Sequence, residues 1–151
     1  MKLIRVFSIF VLLLLVVGCK KDQYMICDIS LNNETQNYEL TAQYKVYYKK
    51  NYVTKIEKHE IYKSSDKKVV NYFNELNSLQ YYDLSDKYKG VIYDIKAIEQ
   101  GVEINSSINL KKFDIKRYVK DGRIYNKYVK GKKLLLSGLK KIYEAKGAIC
   151  K

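Results

Sequence analysis

The stretch YELTAQYKVYYK, residues 38–49, alternates with period two: Tyr38, Leu40, Ala42, Tyr44, Val46 and Tyr48 fall on one side, Glu39, Thr41, Gln43 and Lys45 on the other. Successive side chains of a strand point to opposite faces, so this run predicts a strand with one face buried and one wet. Lys49-Lys50-Asn51 turns the chain into Tyr52 to Tyr62, a second β-rich run of similar length, and the two are expected to pair as an antiparallel hairpin. A slip of one residue would turn the apolar set outward, so the buried face fixes the register.

Working outward, Met25 to Leu31 alternates loosely as a first strand before the turn-rich Asn32-Asn33-Glu34-Thr35. Beyond the hairpin, Ser64-Ser65-Asp66 offers helix caps, and Val69, Phe73 and Leu76, flanked by Val70, Tyr72 and Leu79, recur at helical spacing. Alternation returns at Val91, Tyr93, Ile95 and Ala97 and again, past Gly101, at Val102, Ile104, Ser106, Ile108 and Leu110. Phe113 to Tyr118 is ambiguous, Asp121-Gly122 marks a turn, and Leu135, Leu136, Leu139 and Ile142 predict a last helix ending at Gly147. The expected fold is α+β: an antiparallel sheet of about five strands with two helices packed on one face.

The start of the chain reads as an address. Lys2 and Arg5 precede an apolar run, Val6 to Val17, that stops at Gly18, Cys19 and two lysines. A spanning helix needs about 20 apolar residues, so the run is too short to cross and reads as a cleaved secretory signal peptide. Val16-Val17-Gly18-Cys19 resembles the lipobox of bacterial lipoproteins, in which the cysteine thiol is acylated before the peptidase cuts. That predicts cleavage between Gly18 and Cys19, a lipidated tether over residues 19–23, a single α+β domain over 24–151, and anchoring on the extracytoplasmic face of the cell membrane. The competing reading is an ordinary signal peptide with a chance cysteine.

The 151 residues carry 29 Lys+Arg against 16 Asp+Glu. Loss of residues 1–18 removes only Lys2 and Arg5 from that balance and leaves a formal charge of +11. With no proline, few glycines and abundant Lys and Tyr, the composition also fits an AT-rich genome.

Several local strings resemble the YehR-like bacterial lipoproteins, a small single-domain family of unknown function. Tyr48-Lys49-Lys50-Asn51-Tyr52-Val53 is similar to that family's first hairpin turn, with Lys50 where the family usually has glycine. Asp86-Lys87-Tyr88-Lys89-Gly90-Val91 is similar to its link from helix to strand. The stretch from Val102 to Tyr118, with Phe113-Asp114, and the closing Leu139 to Gly147 also fit. Ala148 stands where an aromatic often follows the final glycine. The resemblance implies the fold and the anchor and transfers no catalytic residue.

Catalytic chemistry finds little footing. His59 is the single histidine, and with Glu57 on the same strand face it supplies two metal ligands without a third, so an exposed strand histidine is the expected role and no metal or cofactor is predicted. Asp83, Asp86 and Asp94 do not form an acid–base pair by spacing alone. Gly122 and Gly131 are isolated among lysines and read as turns rather than a phosphate-cradling loop. Cys27 and Cys150 lie near opposite ends of the domain, outside the cytoplasm if the chain is exported. They are either a bridge closing nearly the whole domain or two separate buried thiols.

What remains is a basic, tyrosine-rich surface: Lys45, Tyr47, Lys49, Lys50 and Tyr52, and later Arg117, Lys120, Arg123, Lys127, Lys130, Lys132 and Lys133. Lysines among aromatics also suit nucleic acid, but an exported protein points instead to anionic lipid headgroups or cell-wall polymer, the other reading being a solvated lysine face on a compositionally biased chain. The expected function is a non-enzymatic, envelope-associated binding module. The alternative is a small-ligand binding or sensing accessory with a pocket between sheet and helices.

Overall fold

The computed structural model describes residues 23–151. The signal peptide and the Gly18–Cys19 junction lie outside those residues. The hairpin read from the sequence is the centre of the molecule. β2 (Tyr38–Lys49) and β3 (Tyr52–Lys63) pair antiparallel around Lys50-Asn51, and β1 (Gln23–Asn33) flanks β2. β4 (Val91–Ile98) and β5 (Gly101–Asn109) form a second hairpin whose β5 arm pairs with β3. Lys50 takes φ +58°, a left-handed conformation that costs a side chain about 1–2 kcal/mol and that glycine adopts freely.

The sheet has six strands where about five are expected from the sequence, in the order β4-β5-β3-β2-β1-β8. The additional strand, β8 (Ile149–Cys150), is two residues long, too short to show periodicity, and pairs antiparallel with β1. β6 (Val129–Lys130) and β7 (Lys133–Leu134) make a separate small hairpin. Three helices are present among the described residues instead of two: α1 (Lys67–Lys87), α2 (Ile115–Lys120) and α3 (Leu136–Glu144). The ambiguous segment resolves into α2 because the Asp114 side chain caps its start, accepting from the Arg117 N–H at 3.1 Å.

α1 begins where Asp66 accepts from the Lys68 N–H at 2.8 Å. Its covered face is not quite the expected one. Asn77 and Tyr81 are buried, Val69, Val70, Phe73 and Leu76 are half-buried, and Tyr72 and Leu79 are exposed. Phe73 explains the angle of approach, since its ring stacks on Tyr62 and meets Tyr38 edge-on, tying the first turns of α1 to β2 and β3. Beneath α1 and α3 the covered side of the sheet carries Met25, Cys27, Ile29, Ala42, Val46 and Ile56, with Leu139 and Tyr143 of α3 above.

Cys27 and Cys150 stand opposite each other at the β1–β8 pairing and are joined by a disulfide. Their neighbours Ile26 and Lys151 exchange both backbone hydrogen bonds, at 3.0 and 2.8 Å. The cysteines therefore occupy a non-hydrogen-bonded pair, the site in an antiparallel ladder where facing Cα atoms come closest.

Candidate functional site

The strand β3 brings charge under the helices. In register with Val46, Tyr44, Ala42 and Leu40 of β2 stand Ile56, Lys58, Glu60 and Tyr62, so two ionisable residues share the covered side with the core. A carboxylate there must be hydrogen-bonded or its burial becomes very costly. Glu60, 8% exposed, satisfies both oxygens: Oε1 accepts from the Tyr44 hydroxyl at 2.9 Å and Oε2 from the Tyr81 hydroxyl at 3.0 Å. Ser106 Oγ, from the inward stripe of β5, donates in turn to the Tyr81 oxygen at 3.0 Å. Burial first, and then the charge of Glu60, holds the protons of Tyr44, Tyr62, Tyr81 and Tyr143 above the ordinary phenol range.

Lys58 has no such company. Its ammonium lies 5.8 Å from the centre of the Tyr44 ring, and it forms no hydrogen bond or ion pair among the described residues. Burial pulls its proton affinity below the usual lysine range; Glu60 opposes that shift and Lys146 adds to it. Both lysines line a cleft of about 490 Å³ between the sheet and the helices, within the size range of small-molecule sites. Its apolar wall is Ile29, Leu31, Leu40 and Leu84, and Arg123 reaches it while paired to Asp83 at 2.6 Å.

A second charged feature lies at one end of the sheet. β1 enters opposite the β2–β3 turn, with Gln23 paired to Tyr48. The β6–β7 hairpin is fastened to the same turn. Tyr52 bridges to Leu135, the Leu136 N–H donates to the Asn51 carbonyl at 3.0 Å, and the Lys133 ammonium sits 5.1 Å above the Tyr52 ring. Lys49 and Lys50, and some 80 residues later Lys130, Lys132 and Lys133, thus lie at the end of the sheet where β1 starts.

The other basic residues do not join them. Arg123 is held by Asp83 of α1, and Lys45 lies along the outer face of β2 between the rings of Tyr24 and Tyr47, at 4.5 and 5.2 Å. Lys127 sits between Tyr125 and Tyr128, while Arg117 donates to the Lys87 carbonyl at 3.1 Å. The carboxylates weighed for acid–base work are also dispersed. Asp83 takes Lys87 as well as Arg123, and the first of these bonds most lowers its pKa; Asp94 pairs with Lys96. On the exposed outer face His59 Nε2 lies 2.9 Å from Glu103, whereas Glu57 takes Lys55 and the Tyr47 hydroxyl. No helix among the described residues is long and apolar enough to cross a membrane.

The fold has counterparts among solved structures. The NMR structure of the E. coli protein YehR superposes with a TM-score of 0.54 at 16% identity, over 86% of this chain and 92% of that one. The fold is YehR-like. An NMR structure of a protein from Streptococcus pneumoniae TIGR4 superposes with a TM-score of 0.53 at 12% identity, over 90% of each chain. No protein-family model matches the chain, and no curated protein sequence matches it significantly.

The site residues to which the sequence alone assigned no role are Lys58, Glu60, Tyr81, Ser106 and Asn77. A signal for the first two was present. Once β3 pairs with β2 across Lys50-Asn51, Ile56 and Tyr62 must face the covered side, and Lys58 and Glu60 go with them. Ser106 likewise interrupts the inward stripe Val102, Ile104, Ile108 of β5. Asn77 gave no such signal; it turns its amide back to the Phe73 carbonyl, 2.7 Å away within the same helix.

Proposed function

We propose that this chain is an exported lipoprotein of the YehR-like group, anchored through lipid on Cys19, and that it works as a non-enzymatic binding module with its basic end against an anionic membrane. The observation that carries this reading is that Gln23 begins β1 at the same end of the sheet as Lys49, Lys50, Lys130, Lys132 and Lys133. Gln23 follows Cys19 by four positions, a reach of at most about 14 Å even when fully extended. An anchor at Cys19 therefore holds that end of the sheet, and no other, at the bilayer surface. Each lysine near an anionic leaflet contributes about 1 kcal/mol, a supplement to the acyl chains that do most of the anchoring. The Cys27–Cys150 disulfide agrees with an oxidising compartment.

Metabolic labelling with a fatty-acid probe tests the anchor: label and membrane retention should disappear in Cys19→Ala, and unlabelled, freely soluble wild-type protein would overturn it. The orientation is tested on the lipidated protein reconstituted into vesicles. Amide exchange at 49–52 and 129–135 should slow on phosphatidylglycerol relative to phosphatidylcholine, and the difference should vanish at high salt. Equal exchange on both lipids would remove lipid as the partner of this surface, and protection by cell-wall polymer instead would reassign it.

A further inference from the structure

The cleft above β3 holds chemistry that neither the anchor nor the basic end uses. Lys58 stands on the covered face of a central strand, unpaired, and Lys146 lines the same cleft without an ion pair among the described residues. Lys58 is half-buried and Lys146 is exposed at the mouth of the cleft, and the charge of Glu60 offsets only part of the burial that disfavours the Lys58 ammonium. Glu60 accepts from a phenol on each oxygen, an arrangement that fixes the Tyr44 and Tyr81 rings as walls, and it forms no ion pair with either lysine among the described residues. Arg123 at the rim is satisfied by Asp83. A half-buried lysine without an ion-pair partner weakens its own fold, and an anion delivered from outside would relieve that cost.

We propose that this cleft is a binding site for a small amphipathic acid, its anionic head on Lys58 and Lys146 and its apolar part along Leu31, Leu40 and Leu84. The chemistry of the walls sets the class. An inorganic anion would leave the leucines uncovered, and a neutral apolar molecule would leave Lys58 without a partner. The volume of about 490 Å³ accommodates a medium-chain acid. The site does not depend on the lipid anchor, so the two readings stand or fall separately.

Protonation should be coupled to occupancy. Burial, against which Glu60 works and to which Lys146 adds, lowers the proton affinity of Lys58. The remaining titratable groups facing it, Tyr44, Tyr62, Tyr81, Tyr118 and Tyr143, hold their protons throughout the neutral range, and Arg123 is paired to Asp83. An arriving anion favours the ammonium, so binding takes up a proton at pH values near or above the lowered pKa and weakens as pH rises.

The test is isothermal titration of the mature protein with decanoate, decan-1-ol and inorganic phosphate, repeated in two buffers of different ionisation enthalpy. Decanoate should bind at least tenfold more tightly than either of the others, and its affinity should fall as the pH is raised through the alkaline range. Lys58→Met should weaken decanoate at least tenfold while leaving decan-1-ol unchanged, and Lys146→Gln should weaken it by a smaller factor. Circular dichroism establishes that each variant is folded; should Lys58→Met not fold, Lys58→Arg, which keeps the cation, must retain selectivity for the acid. Equal binding of acid and alcohol, unchanged affinity in the lysine variants, or no saturable decanoate binding up to its solubility would each overturn the assignment.

Discussion

Reducing the Cys27–Cys150 bridge should cost this protein a large part of its stability, although the strand it secures is only two residues long. The cysteines are 123 positions apart, so the crosslink closes nearly the whole described chain into one loop. In the chain-entropy model, a loop of that length removes denatured-state freedom worth about 5 kcal/mol. That is a third or more of the 5–15 kcal/mol typical of a whole domain. The native side loses much less, since β8 contributes the Ile149–Cys150 pairing and the two Ile26–Lys151 hydrogen bonds, all of which can persist without the covalent bond. Urea unfolding of the mature protein, followed by tyrosine fluorescence with and without reductant, measures the difference. Cys150→Ala serves as a second route, chosen over the cysteine at 27 because Cys27 is fully buried and its truncation would add a cavity cost. The midpoint should fall and the denaturant slope should rise, because the open chain exposes more surface on unfolding. A loss below about 1 kcal/mol with the bridge verified by mass, or an unchanged slope, would refute the account in which the bridge acts on the unfolded state.

Tyr81→Phe removes a donor to Glu60 and an acceptor for Ser106 and should cost about 1–3 kcal/mol by denaturant titration. Combined with Tyr44→Phe it should be non-additive, because both phenols serve one carboxylate. Gly101→Ala should cost on the order of 1–3 kcal/mol, since a Cβ there would run into the Tyr62 carbonyl across the β3–β5 pairing; a Tm within a degree of wild type would show that the strands can part without penalty. Alkaline pH should unfold the protein cooperatively. Tyr44, Tyr62, Tyr81 and Tyr143 have folded-state pKa values raised above 10.0, so the stability they contribute is fully present below pH 10 and lost as the pH climbs above it. Phenolate absorbance and circular dichroism should therefore change together; ionisation of these phenols ahead of unfolding would contradict their burial.

Strand periodicity in this chain is a local property, and it was legible where the strands are long. The run from Tyr38 to Tyr48, the inward set Val102, Ile104, Ser106, Ile108 and the cap at Asp66 could all be read residue by residue, because a side chain's face follows from its position in the backbone repeat. Two-residue strands such as β8 have no period to read, and a six-residue helix such as α2 has less than two turns in which to show one. The outward Tyr72 and Leu79 of α1 show a related limit. Helical spacing identified a helix, but which arc lies against the sheet was decided by Phe73 meeting Tyr38 and Tyr62.

The candidate sites divide in the same way. By itself the sequence determined an excess of positive charge, a lipobox-like start and the alternation that builds the central hairpin, all set by residue type and spacing along one stretch of chain. Only the tertiary structure decided which charges meet. It put Lys58 and Glu60 under the helices, joined Cys27 to Cys150, fastened Arg123 to Asp83 away from the basic end of the sheet, and brought Lys49 and Lys50 to the same end as Lys130, Lys132 and Lys133, where β1 begins. Those juxtapositions arise from pairing between segments as much as 123 residues apart, and a side chain's solvation and partners are fixed by what packs on it across space rather than by its neighbours in the chain.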